Sequence, residues 1–381
     1  MKRDLIVFSE DWGGLPSSTQ HLIKQLSLTR KVIWVNSIGL RQPNWSLHDI
    51  KRVWTKLTET TTHIKEENQS APFQTVNLKT IPAPKGRFTR WVAKQLIVQQ
   101  LKPIIKKAQL HRPILWTSLP TVADICGSLG ESGIVYYCGD DFGALAGVDH
   151  EVVLQHEQKL IQKSDLILAA SPMLCRKFPE DKVQFLPHGV DFTLFNQPVF
   201  RAKDLPKDGR PIAGFYGSLS KWLDYALINQ ITEINPDWHF VFIGQNELAY
   251  NPITPRKNVH LMGSKPHSQL PRYSQHWQVS LLPFIDNEQI RACNPLKLLE
   301  YLATGTPIIS TDFPALRPYK SAIHTVNSVA EFNSSLNLIQ QDWLKHNTEE
   351  LYKRTQQQTK LIKSHTWQAK AKQLEAWLEA L

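Results

Sequence analysis

Asn294-Pro295-Leu296-Lys297-Leu298-Leu299-Glu300-Tyr301-Leu302-Ala303-Thr304-Gly305-Thr306-Pro307-Ile308-Ile309-Ser310 decides how the chain is built. Asn294 suits an N-cap, Pro295 the first helical position, and Gly305 the residue that ends a helix. A short apolar run, Val279 to Leu282, precedes this helix, and another, Pro307 to Ser310, follows it. Strand, helix and strand in that order predict a parallel α/β unit. A helix that starts just after a strand presents free backbone N–H groups, and with its dipole these make an anion site. Lys297 adds a full charge in the first turn, and Glu300, three residues on, shares its face. A cation beside a carboxylate at a helix start suits a nucleotide diphosphate and its ribose hydroxyls. A well-capped surface helix with an ordinary Lys–Glu pair has the same spacing, so the pattern alone leaves both readings open.

The same alternation extends over the chain. Leu5 to Phe8, Val32 to Val35, Ile114 to Trp116, Ile134 to Tyr137 and Leu166 to Leu168 read as buried parallel strands. A second set comprises Ile212 to Tyr216, Phe240 to Ile243 and Val259 to Leu261, with the two runs that flank the opening helix. Between the sets, Pro187 to Pro211 holds four prolines and two glycines and reads as a linker. The expected architecture is two doubly wound, Rossmann-like α/β domains facing across a cleft. Residues 1–195 are expected to form the first domain and 196–360 the second. Residues 361–381 form a C-terminal helix bracing the first.

Composition bounds the function. The chain has 381 residues, 41% of them hydrophobic, which excludes a disordered or fibrous protein. Its four cysteines, Cys126, Cys138, Cys175 and Cys293, form no CxxC pair, arguing against a zinc site or disulfide framework. The charged start at Lys2, Arg3 and Asp4 looks like the lead into a first strand rather than a signal peptide. No stretch approaches the roughly 18 apolar residues of a membrane span. The net charge of +10 is concentrated: Lys51 to Arg112 holds 13 basic residues against three acids, and Asn68 to Ala123 holds no acid. Such a block points to an anionic surface or ligand.

The opening stretch resembles the donor-binding motif of retaining GT-B glycosyltransferases of the family 4 type, in the NPxKxxEYLAxGxP form of capsule and teichuronic-acid-like polysaccharide enzymes. Further segments are similar to that family in the right order: Asp11-Trp12-Gly13-Gly14-Leu15, Tyr136 to Phe142, Pro187-His188-Gly189-Val190-Asp191, and Gly214 to Leu219 with Trp222. The resemblance implies that Glu300 binds the donor ribose. It also implies that Asn294, Leu296 and Lys297 meet the diphosphate, with Arg291 as a second phosphate contact. Eight residues before Glu300, where many family members carry a Glu, this chain has Ala292. The resemblance further implies that residues 1–195 bind the acceptor and 196–360 the donor, with Gly217 and Ser218 in the loop beside the donor phosphates and Lys221 close behind.

Gly13 and Gly14, after the first strand, would let a sugar or phosphate approach the backbone, and they form the acceptor loop with Trp12. A plain tight turn would look the same. Asp140 and Asp141 follow a strand where α/β proteins bind ligands, and either could orient or deprotonate an acceptor hydroxyl; one of the two is expected to cap a turn instead. His188 shapes the entry to the linker. Of Trp12 and Trp222, at least one is expected to pack in the core. Phe88 to Lys107 reads as a basic amphipathic segment suited to an anionic membrane, divided by Pro103 into two short pieces.

These readings converge on a cytoplasmic glycosyltransferase, peripheral on the inner face of the membrane, in cell-surface polysaccharide synthesis. Its donor is a nucleotide-diphosphate sugar and its acceptor a glycan or lipid-linked acceptor. No metal or other cofactor is expected, since Lys297, Arg291 and a helix N-terminus neutralise the phosphates. A non-hydrolysing sugar-nucleotide epimerase and a nucleic-acid-binding protein using residues 51–112 are the alternative classes. No nucleic-acid-binding signature accompanies the basic block.

Overall fold

The computed structural model describes residues 2–14, 16–37, 71–81, 84, 86–143, 150–345 and 348–381. Leu15 and the basic residues at 51–70 lie outside the described residues. The chain forms two compact units, Met1–Leu186 with Ala371–Leu381, and Pro187–Lys370.

The first unit is built on strands β1 (Leu5–Phe8), β2 (Val32–Val35), β3 (Gln74–Val76), β4 (Ile114–Thr117), β5 (Gly133–Cys138), β6 (Leu166–Ala169) and β7 (Val183–Phe185). They lie in the order β3-β2-β1-β4-β5-β6-β7. The second holds β8 (Ile212–Tyr216), β9 (His239–Ile243), β10 (Val259–Leu261), β11 (Val279–Leu282), β12 (Ile308–Thr311) and β13 (His324–Val326). Their order is β10-β9-β8-β11-β12-β13.

Every recorded strand pair is parallel; Leu5, for example, stands opposite both Val32 and Ile114. The central strands are buried along their whole length, because helices cover both faces of a doubly wound sheet. Each sheet reverses its order of winding once, between β1 and β4 and between β8 and β11. Loops leaving the carboxyl ends of these strands diverge there and open a crevice.

Three elements depart from the sequence reading. The proline-rich stretch after Pro187 is part of the second unit's core rather than a free linker: Phe195, Ala202 and Leu205 are buried in it, and Asp191 caps a short helix, Phe192–Asn196. The contacts accordingly divide at residue 186 rather than 195, and residues 361–370 stay with the second unit. Pro103 does not divide its segment, for Arg87–Ala108 is one continuous helix. Pro103 and Gln99 are both exposed, so the carbonyl that the proline leaves without a donor faces water.

Residues 371–381 complete the first unit. Leu374 and Leu378 are fully buried. The buried guanidinium of Arg30 donates to Glu379 and to the carbonyl of Arg3, each at 2.6 Å.

Candidate active site

A set of interlocked polar side chains in the second unit lies at its sheet reversal. Gly217 follows β8 with φ of +138°, a backbone conformation that favours glycine. The aliphatic end of Lys297 crosses this glycine so closely that a Cβ there would stand 2.1 Å from Lys297 Cε. Gly244, after β9, packs as tightly from the other side: its Cβ would stand 1.9 Å from the Gly217 carbonyl oxygen. Two glycines thus let the β8 loop, the β9 loop and Lys297 share one small volume. The Lys297 ammonium also lies 6.0 Å from the centre of the Phe215 ring.

Lys297 belongs to the helix Leu296–Thr304, whose buried face carries Leu298, Leu299, Tyr301 and Leu302. The N-cap is Pro295, one residue later than the spacing predicts, and its own side chain makes no capping hydrogen bond. Asn294 lies outside the helix, half-buried. The first turn has no acid and one cation, the wrong sign for a helix N-terminus, which favours negative charge by about 0.3–1 kcal/mol. An anion bound there would turn both the helix end and Lys297 to advantage.

Glu300 does not pair with Lys297 on a solvated face. It is buried, at 8% exposure. Its Oε2 accepts from the Tyr216 hydroxyl at 2.8 Å, and its Oε1 lies 2.7 Å from His267 Nε2, which donates to a carboxylate. Tyr216 ends β8, and its backbone N–H donates to the Tyr301 hydroxyl at 3.1 Å. Burial and the Glu300 charge push the Tyr216 phenol well above its usual range, so it remains a donor. His267 stacks edge-on against Phe195. Neither Tyr216 nor His267 is signalled by the motif around Glu300, since both reach it from distant segments. A strand-terminal tyrosine beside the Gly217 loop is the one sequence cue that could have pointed there.

The remaining donor candidates are more dispersed. Ser218 and Leu296 are half-buried, and Lys221 is exposed. Arg291 is exposed and forks onto Asp286, with both nitrogens 2.6 Å from its carboxylate oxygens. Both line a cavity of about 300 Å³ with Asp312, Arg317 and Lys320. Ala292 is buried at 2%, so a glutamate there would have to enter the core.

In the first unit, Trp12 packs edge-on against Trp34 and Phe73, with ring centres 5.1 and 4.6 Å apart. Its backbone N–H donates to Asn36 Oδ1 at 2.9 Å. Gly14 N–H closes a turn onto the Asp11 carbonyl at 3.2 Å, and the space beside Gly13 is open. Glu10, in the same loop, holds Ser9, Ser17 and Gln20; the sequence reading passed over it. Asp141 accepts from the Gly143 N–H at 2.9 Å and pairs with Lys177, making it the turn-capping member of the two aspartates. Asp140 is exposed. Behind them the buried Tyr136 hydroxyl donates to Glu157 at 2.6 Å, and burial raises the pKa of Glu157. Among the described residues no group of His, Cys, Asp or Glu could hold a metal ion. No described helix is long and apolar enough to cross a membrane.

Comparison with known proteins adds the chemistry. Residues 210–341, which include Gly217, Lys297 and Glu300, match the family described as glycosyl transferases group 1. The chain is 24% identical over 239 residues to the teichuronic acid biosynthesis glycosyltransferase TuaH of Bacillus subtilis (strain 168). That match covers 58% of this chain and 60% of the relative. Anabaena HepE, solved in complex with UDP and glucose, superimposes over 100% of both chains with a TM-score of 0.69 at 10% identity. Sucrose-phosphate synthase from Thermosynechococcus elongatus superimposes over 99% of both chains with a TM-score of 0.67 at 16% identity. The chain therefore has the GT-B fold of two parallel-sheet α/β domains, and residues 210–341 match the group 1 glycosyl transferase family.

Proposed function

We propose that the protein is a retaining glycosyltransferase of the family 4 type, moving a sugar from a nucleotide-diphosphate sugar to a glycan or lipid-linked acceptor. The carrying observation is the buried Glu300, held by Tyr216 and His267 beside the Lys297–Gly217 contact. A carboxylate fixed by two donors keeps lone pairs for the vicinal hydroxyls of a ribose. One turn away, Lys297 and the N-terminal end of its helix suit a diphosphate. Gly217 and Ser218 bring backbone to the same place, and Leu296 sets the start of the helix after Asn294. Arg291 and Lys221 are assigned longer-range roles in attracting the diphosphate, because the first is committed to Asp286 and the second stands in solvent.

In this reading the acceptor oxygen attacks the anomeric carbon on the face that the diphosphate leaves. As the new C–O bond forms, the bond to the phosphate oxygen breaks, and a phosphate oxygen takes the acceptor proton. The protein contributes positioning and charge stabilisation. Asp140 orients the acceptor hydroxyl, while Asp141, committed to Lys177 and the turn, holds the loop. Trp12, Gly13 and Gly14 shape the acceptor loop. The likeness to TuaH supports a role in cell-surface polysaccharide synthesis, and the basic, acid-free stretch from Asn68 to Ala123 is the ground for placing that role on the inner face of a membrane. None of the relatives described above is an epimerase or a nucleic-acid-binding protein.

A panel of UDP-, GDP- and ADP-sugars, scored by thermal stabilisation of wild type and Glu300→Ala, tests the donor site. One donor is expected to stabilise wild type and to stabilise the variant less. Equal stabilisation of both removes Glu300 from the donor site. Full activity after exhaustive chelation is expected, whereas a strict need for added Mg²⁺ or Mn²⁺ would refute phosphate neutralisation by Lys297 and the helix end.

A further inference from the structure

The helix Arg87–Ala108 is 22 residues long and contains no Asp or Glu. Its apolar side, Ala93, Ile97, Val98 and Leu101, is buried in the first unit. That side therefore cannot lie in a bilayer, which removes the simple picture of an amphipathic helix floating on its apolar face. The opposite side carries a different pattern. Phe88 is 75% exposed and Trp91 57% exposed, and their rings lie near-parallel with centres 6.2 Å apart. Two adjacent aromatic rings given to solvent are an uncommon feature of a surface that meets only water.

The cations share this side. Lys106 follows Phe88 by 18 residues, five turns at 3.6 residues per turn, so the two stand on one line along the helix. Lys102 and Lys107 flank that line, and all three lysines are exposed. Gln95 and Gln99 fill its middle without adding charge. Arg87 stands beside Phe88 at the aromatic end, also exposed. Arg90 and the half-buried Lys94 lie off this side, and Arg90 forks onto Asp124 with both nitrogens 2.6 Å from its carboxylate oxygens.

We propose that this side of the helix docks on an anionic lipid bilayer, with Phe88 and Trp91 seated in the headgroup layer and Lys102, Lys106 and Lys107 lying over anionic headgroups. The proposal deepens the placement at a membrane made under the proposed function and rests on it. Charge complementarity selects the occupant: a helix side with aromatics at one end, lysines at the other and no carboxylate matches a surface that is apolar below and negative above. Aromatic rings alone would fit an apolar protein groove, and lysines alone a nucleic acid.

The test is co-sedimentation of the full chain with vesicles of phosphatidylcholine alone and of equal parts phosphatidylcholine and phosphatidylglycerol. Wild type is expected to bind the anionic vesicles and not the neutral ones, and to be released by salt as screening shortens the reach of the lysines. Phe88→Ser with Trp91→Ser, and separately Lys102→Glu with Lys106→Glu, should each weaken binding by about tenfold or more. Phe200→Ser, at a ring 90% exposed in the second unit, should leave it unchanged. Equal binding to both vesicles, no binding to the anionic ones, or binding indifferent to either double substitution overturns the proposal. Thermal stabilisation by a nucleotide sugar, measured on the same variants without vesicles, reports folding and the donor site independently. Its loss in wild type would count against the proposed function and leave the vesicle result standing.

Discussion

Lys297 lies across Gly217 so closely that a Cβ at that position would stand 2.1 Å from its Cε. The lysine comes from the helix after β11 and the glycine from the loop after β8, so the contact closes the crevice where the second sheet reverses its winding. Two consequences can be measured. Gly217→Ala combines a strained φ with an overlap on Lys297 Cε, and should cost about 1–3 kcal/mol in a urea melt. Lys297→Ala removes the overlap, so the double variant should be more stable than the sum of the single losses. Nucleotide-sugar stabilisation should nonetheless fall in all three. Recovery of donor binding in the double variant would show that Lys297 serves only packing.

The carboxylate of Glu300 depends on partners brought from elsewhere in the sheet. Tyr216→Phe removes one donor from a buried acceptor and should cost about 1–3 kcal/mol. His267→Ala removes the other donor. If the two fix the carboxylate for a ribose, both variants should bind the donor more weakly while retaining cooperative melts, and His267→Gln should recover part of the loss. Donor titration of the three variants decides this, and unchanged affinity in all of them would sink the positioning role.

Acid sensitivity should come first from histidines. Burial lowers the folded pKa of His188 to about 4, and burial with the nearby Lys370 does the same for His365. In an unfolded chain both protonate near 6.5. Between these values the unfolded state binds more protons, so stability is full above about pH 6.5 and falls as the pH drops toward 4. His188 alone should contribute a slope of about 1.4 kcal/mol per pH unit inside that window. Urea melts at neutral pH and near pH 5 should show the drop, and His188→Gln should flatten it. A slope that the substitution leaves intact would assign the acid response to other groups.

Gly189 is crowded rather than twisted. A Cβ there would stand 2.7 Å from two carbons of the Trp367 indole and 3.1 Å from its backbone nitrogen. Gly189→Ala should therefore destabilise the second unit by about 1–3 kcal/mol, the usual cost of overpacking. Trp367→Leu in the same background should return part of it. Thermal melts of the single and double variants check this; a neutral Gly189→Ala would mean that the indole moves aside freely.

What was legible in the sequence follows from burial. The nine inner strands announce themselves because a strand covered on both faces needs an unbroken apolar run, as in Leu5-Ile6-Val7-Phe8. Of the four edge strands, β3, β7 and β13 are three residues long and partly exposed and carry no such run, whereas β10, as short and as exposed, shows in Val259 and Leu261. Lys297, Gly217 and Glu300 stood out by spacing and resemblance. The surroundings of Glu300 did not, because Tyr216 and His267 lie 84 and 33 residues away and meet it only through the sheet. The exposed aromatic pair on the helix Arg87–Ala108 was likewise invisible as such: composition shows Phe88 and Trp91 but not which side of a helix the core leaves outside.

The return of residues 371–381 to the first unit makes the second unit an insertion within the first. A premature stop after Lys370 would look like the loss of a dispensable tail, yet it would strip the buried Arg30 of Glu379 and uncover the seats of Leu374 and Leu378. The lesion would appear at the opposite end of the gene from the residues it unfolds. An expression clone that ends early should therefore yield a sound second unit joined to a half-made neighbour, because residues 187–370 form one uninterrupted piece.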